Sequence, residues 1–162
     1  MAAAATLLAL LAGDAMAGSE KNYIWRGWRM SEADYAIVHA RPGDPTDNDF
    51  YLVCRGGRGR VELAIRSLQR GGYGLETEAG IPTVFLFGSK RIPAKAAFRG
   101  PSEMLGGIVI HYGFERDDPV LAAIARGEPF RVMLPRLTTQ RFAPAEARRF
   151  FAEMAAHCKG GT

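Results

Sequence analysis

The chain has 162 residues, 48% of them hydrophobic and 23% charged, with two cysteines and three histidines. That balance excludes wholesale disorder, gives no sign of a second domain, and suffices for one hydrophobic core. The formal charge of +4 is mostly arginine scattered from Arg26 to Arg149, so it favours an anionic partner only slightly and offers no concentrated nucleic-acid stripe.

Met1 to Ala17 reads MAAAATLLALLAGDAMA, an alanine- and leucine-rich run closing on the small-x-small triplet Ala15-Met16-Ala17. This pattern predicts a signal peptide over residues 1–17 and a single β-rich secreted domain over 18–162, although the basic start of such a leader is missing before Lys21. The run is shorter than the roughly 20 residues of a membrane span and Asp14 interrupts it, so no transmembrane span is expected after leader removal. A periplasmic or secreted location then agrees with a disulfide between Cys54 and Cys158, because disulfides persist in oxidising compartments; two buried free thiols are the alternative.

Asn22 to Met30 (NYIWRGWRM) and Asp34 to Ala40 (DYAIVHA) read as two strands joined by Ser31-Glu32-Ala33, with Trp25 and Trp28 on opposite faces. Arg41 to Asn48 (RPGDPTDN) reads as a loop. Its aspartates, Asp44 and Asp47, with Asp49 beyond, suit turn capping better than calcium, since the glycine and terminal glutamate of a calcium loop are absent. Asp49 to Arg66 (DFYLVCRGGRGRVELAIR) is the strongest local signal. Phe50, Leu52 and Cys54 alternate before a glycine-rich turn, and Val61, Leu63 and Ile65 alternate after it, as a hairpin with one buried face requires.

Gln69 to Pro82 is punctuated by four glycines and a proline and reads as a long exposed loop. Thr83 to Gly88 (TVFLFG) suits a strand buried on both sides. Ser89 to Gly100 (SKRIPAKAAFRG) carries Lys90, Arg91, Lys95 and Arg99 without an acid. It is either an anion-binding segment or a strand edge guarded by lysine and Pro93. Ile108 to Tyr112 reads as a strand. Asp118 then caps a short helix to Arg126, with Pro119 in its first turn, Gly127 as its stop, and Leu121, Ile124 and Ala125 turned to the sheet. Phe130 to Pro135 is the last expected strand, with Phe130, Val132 and Leu134 on one side.

From Pro144 to Cys158, residues Ala147, Phe150, Phe151, Met154, Ala155 and Cys158 recur at helical spacing, and Phe142 is placed to staple the start of that helix. This stripe is expected to pack on the hairpin and bring the two sulfurs together. The fold class is therefore α+β and β-rich: an antiparallel sheet or sandwich of about seven or eight strands, a short helix near 118–126 and a C-terminal helix near 144–158.

Chemistry-bearing motifs are sparse. His39, His111 and His157 lie far apart without zinc-ligand spacing, and His111 in its apolar strand reads as structural. His157 beside Cys158 lowers the thiol pKa only if that cysteine is free. Glu76 and Glu78, like Asp117 and Asp118, are close in sequence, which is not the facing geometry of glycosidic acid–base pairs. No nucleophile elbow, phosphate loop or C-x-x-C occurs, so no catalytic residue, metal or cofactor is assigned.

The segment YLVCRGG followed by VELAI resembles the cysteine-bearing first strands of periplasmic lysozyme inhibitors, without the Ser-Gly-containing, tyrosine-bearing loop of that family. The ending resembles invasion-associated locus B proteins, without their closely spaced second cysteine pair. Each likeness covers a small part of the chain, and neither is adopted. The functional expectation is a non-enzymatic envelope-associated binding protein, its partner an envelope protein or anionic envelope polymer and not a nucleic acid, with Lys90, Arg91, Lys95 and Arg99 as binding residues. An inhibitor of a secreted hydrolase, or an enzyme whose residues converge only in space, are the competing readings.

Overall fold

A computed structural model describes residues 22–56, 60–67, 78–101 and 107–158. The expected leader, its cleavage point before Gly18, and the loop expected over 69–77 lie outside the described residues.

The chain forms β1 (Ile24–Arg29), β2 (Tyr35–Arg41), β3 (Asp44–Cys54), β4 (Arg60–Ser67), β5 (Glu78–Phe87), β6 (Lys90–Pro101), β7 (Ile108–Glu115), α1 (Pro119–Ala125), β8 (Arg131–Leu134) and β9 (Leu137–Thr138). A 3-10 turn, Pro144–Ala147, leads into α2 (Arg148–His157). The strands make one antiparallel sheet in the order β1-β2-β3-β4-β7-β6-β5-β8-β9. The fold is thus β-rich α+β, with nine strands among the described residues.

The sheet is folded over on itself. β6 pairs with β7 only from Phe98 to Pro101, whereas β5–β6 and β4–β7 pair along most of their lengths. That short join is a corner where alternation breaks: Ala97 and Phe98 are both exposed, then Arg99 and Gly100 are both buried. Beyond it the two halves face one another. Phe50 of β3 reaches Phe130, just before β8, at 6.4 Å between ring centroids, and Phe85 of β5 meets Tyr112 of β7 at 5.1 Å. Aromatic pairs at such separations fill a core wall to wall.

Local sequence explains most elements. In the β3–β4 hairpin Phe50 opposes Ile65, Leu52 opposes Leu63 and Cys54 opposes Val61, all buried, so the period-two reading finds its core face. Trp25 is 8% exposed and donates its indole N–H to the Ala143 carbonyl at 3.1 Å, while Trp28 on the other face is 38% exposed. Asp118 accepts from the Val120 amide at 2.8 Å and caps α1. Gly127, at φ +77°, ends it with its amide on the Ile124 carbonyl. Only a residue without a Cβ adopts that left-handed conformation at little cost.

Several expectations are corrected. Residues 41–48 are not an open loop: Gly43, at φ +84°, turns the chain directly into the eleven-residue β3. Asp44 does cap that turn, accepting from the Thr46 amide and hydroxyl, but Asp47 is buried in an ion pair with Arg66 and Asp49 in a hydrogen bond with His39. Residues 78–82 are strand, not loop, because β6 supplies a ladder that carries Gly80 and Pro82. Within β5 the face of Val84 and Leu86 is only half-buried. Arg136, at φ 65°, makes a tight turn into β9, which local periodicity does not announce. Phe142 packs on Phe130 at 5.1 Å and Phe50 at 6.0 Å, in the sheet core.

The terminal helix buries Ala147, Phe150, Phe151, Met154 and Cys158 of its stripe, while Ala155 is exposed. Phe150 lies against Gly27, where any Cβ would come within 2.8 Å of it, so β1 is smooth where the helix crosses. Tyr35 of β2 donates to Glu153 at 2.6 Å. The bridge Cys54–Cys158 ties the end of β3 to the end of α2, with 6.3 Å between Cα atoms across a separation of 104 residues.

Candidate functional site

The outer face of the β6-β5-β8 half is set by register. Leu86 of β5 pairs with Arg91 of β6 on one side and Arg131 of β8 on the other, so two guanidinium-bearing residues flank one leucine. Two strand spacings separate them, about 10 Å. Lys95 follows Arg91 by four residues on the same face of β6, about 13 Å along the strand. Its stem passes over Gly80, where an added Cβ would meet the lysine Cε at 3.0 Å. Pro93 lies between them, opposite Val84, and Val84 pairs with Met133. The result is an exposed triangle of cations over a partly apolar floor.

Pro93 is tolerated because β6 has a partner on one side only from Lys90 to Ala97; pairing with β7 begins at Phe98. This stretch is thus both a guarded edge and a basic surface, and the two sequence readings of it are compatible. Lys90 stands exposed at the hairpin end opposite Phe87. Among the described residues, no ion pair engages Lys90, Arg91, Lys95 or Arg131.

Arg99 does not join them. It is 3% exposed and follows the β6 corner, so its side chain turns to the inner side with Ile110, and its Nη1 donates to the Pro135 carbonyl at 3.1 Å. Burial and that bond make it a strut between β6 and the β8–β9 turn. Arg131 of β8 takes its place on the surface. The signal for Arg131 is its alternation against buried Val132 and Leu134, legible only once β8 is known to lie beside β5.

A second cluster is buried. His39 donates from Nδ1 to Asp49 at 2.7 Å, and Gln140 donates to the other Asp49 oxygen at 3.1 Å and to the Arg66 carbonyl at 2.9 Å. Arg66, 4% exposed, reaches the Asp47 carboxylate at 2.7 Å, the Tyr23 hydroxyl at 2.9 Å and the Asn48 carbonyl at 2.9 Å. Tyr23 in turn donates to Asp47 at 2.7 Å, and Arg41 closes on the other Asp47 oxygen at 2.8 Å. Burial together with the Asp47 carboxylate pushes the Tyr23 phenol up to about 12. Trp25, Tyr23 and Phe142 surround the His39 ring at 4.7, 5.5 and 6.4 Å. A base oriented by a carboxylate is part of many active sites, but here Asp49 and Arg66 spend their hydrogen bonds joining β2, β3, β4 and the segment after β9.

The remaining histidines are explained locally. His111 stands on the outer face against Phe98 at 5.6 Å, and burial lowers its pKa below the ordinary value. His157 donates Nε2–H to the Ser31 carbonyl at 3.1 Å, and its neighbour Cys158 is bridged, so no thiolate is there to be activated. Among the described residues no three His, Cys, Asp or Glu side chains converge as metal ligands, and no helix is long and apolar enough to cross a membrane. No protein-family model, curated protein or solved structure matches this chain.

Proposed function

We propose that the chain is a non-enzymatic binding protein of an oxidising, extracytoplasmic compartment, and that it holds an anionic polymer of the cell envelope on the outer face of β6, β5 and β8. The observation that carries this reading is the exposed triangle of Arg91, Lys95 and Arg131, none ion-paired within the described residues. Cations left without acids on a rigid sheet are preorganised for a ligand that supplies the acids, and arginine adds bidentate geometry toward carboxylate or phosphate. Lys90 extends the surface at the hairpin end. The Cys54–Cys158 bridge supports the compartment, since such bonds are kept in oxidising surroundings.

The test is retention of the oxidised chain on immobilised polygalacturonate and on polyphosphate, against neutral dextran, over a salt gradient. Each exposed charge contact is worth about 0.2–1 kcal/mol, so neutralising three weakens binding about 3- to 150-fold. The triple variant Arg91→Gln/Lys95→Gln/Arg131→Gln is expected to elute at distinctly lower salt than the parent. Equal retention of parent and variant refutes the site.

A further inference from the structure

A half-open cleft of about 270 Å3 lies between α1, α2 and the ends of β3 and β4. Among the described residues it is lined by Cys54, Val61, Leu121, Phe151, Met154 and Cys158, together with the small side chains of both helices and one charged residue, Arg116. Phe151, Met154, Ala155 and Cys158 fall at i, i+3, i+4 and i+7, one face of α2. Across from them α1 presents Ala122 and Ala125, which share a face at i and i+3. The space stays open because both helices offer alanine where leucine would interlock. The disulfide forms part of its wall and fixes the end of α2 to β3.

Interiors are packed so closely that voids larger than a water molecule are few, and an apolar recess of this size is a place for a ligand. Its cation among the described residues is available. Arg116 is exposed; of the adjacent acids, Glu115 pairs with Arg60 at 3.3 Å and Asp118 caps α1, while the exposed Asp117 makes no ion pair to it. No ion pair to Arg116 occurs among the described residues.

We infer that this cleft binds a medium-chain fatty carboxylate, its alkyl chain against the disulfide, Phe151 and Met154 and its carboxylate on Arg116. Nine of the ten lining residues among those described are apolar, which selects a hydrocarbon body, and the Arg116 guanidinium selects an anionic head that it meets bidentately. The volume is just below the usual range of about 300–1,000 Å3 for ligand pockets, which suits one short chain and not the paired tails of a phospholipid. The site is separate from the cation triangle, so neither reading depends on the other.

Isothermal titration of the oxidised chain with decanoate, below its micelle concentration, tests the assignment. Saturable one-to-one binding is expected, with octanoate about fifteenfold weaker, because each of the two missing methylenes is worth about fourfold in affinity. Decyltrimethylammonium, the same tail with a cationic head, is expected to bind about tenfold or more weaker than decanoate. Arg116→Glu is expected to reverse that preference. Ala122→Phe, at an exposed position that tolerates bulk, is expected to abolish binding by filling the recess while leaving the thermal midpoint unchanged. Because the disulfide lines the cleft, saturating decanoate is also expected to slow its reduction by thiol. An apolar packing gap only is the conclusion if decanoate fails to saturate, if the two head groups bind alike, if Arg116→Glu binds as the parent does, or if reduction proceeds at the same rate with ligand present.

Discussion

Removing the Cys54–Cys158 bridge is the sharpest perturbation of this fold, because it is the covalent link between the central hairpin and the terminal helix. The bridge closes a loop with a sequence separation of 104 residues. The chain-entropy relation gives about 4.7 kcal/mol for a loop near that length, an amount comparable with a third or more of the roughly 5–15 kcal/mol that a domain has in total. At this chain size 1 kcal/mol corresponds to about 2–4 °C, so the thermal midpoint should fall by about 10–20 °C. Both the reduced parent and the Cys54→Ala/Cys158→Ala variant should show the drop, and the urea midpoint should move with it. The sulfurs themselves are buried, with Cys54 at 0% and Cys158 at 5% exposure, so the variant should lose slightly more than the reduced parent through lost packing. Intact mass before and after reduction should differ by two hydrogens. A double variant that melts within about 3 °C of the oxidised parent refutes the claim that the bridge holds the helix on the sheet.

Three further outcomes follow from contacts elsewhere. Gly27→Ala puts a Cβ 2.8 Å from the Cβ, Cγ and Cδ1 of Phe150, so α2 must shift; a loss of about 1–3 kcal/mol is expected in urea unfolding, and a neutral result means the helix does not rest on β1 there. Asp49→Ala strips the acceptor from His39 and Gln140 and should cost about 1–3 kcal/mol, whereas Asp49→Asn, which keeps one oxygen, should cost less. The Tyr23 phenol is raised from 10.0 to about 12, so the folded state holds its proton longer than the unfolded chain does. Its contribution is therefore intact below pH 10 and is lost as pH climbs toward 12, and Tyr23→Phe should flatten that alkaline decline in stability while leaving its acid side unchanged.

What the amino-acid order conveys is local pairing and helical faces. The pairing of β3 with β4, the split of Trp25 from Trp28, the Asp118 cap and the buried stripe of α2 all follow from period, capping chemistry and turn residues within a short window. Long-range order does not. Nothing in residues 60–67 says that β4 will lie beside β7, or that β5 will take β8 on its far side. β9 is two residues long and exists only because Arg136 turns the chain back onto β8. Arg66 illustrates the same limit within one strand. Alternation places it with Glu62 on the outward side of the hairpin, yet it is buried, since Asp47, Tyr23 and Asn48 converge on it from β3 and from the residues before β1.

The candidate surfaces divide along the same line. Lys90, Arg91 and Lys95 are visible as a run of cations free of acids, because they are contiguous on one strand. Whether a cation in that run faces solvent or core depends on the bend of β6 at Ala97 and Phe98, a property of the sheet and not of the run, and this is what separates Arg99 from the others. Arg131 arrives from a strand some 40 positions away by the β5–β8 pairing. The cleft is further still from local sequence. Its walls come from β3, β4, the β7–α1 turn and both helices, so Ala122, Ala125 and Ala155 look like ordinary helix formers until the fold brings them to one cleft. A single tether therefore has two physical roles: it reduces the entropy of the unfolded chain, and it supplies part of the apolar wall of the cleft. Reduction should then weaken decanoate binding under conditions where the sheet remains folded.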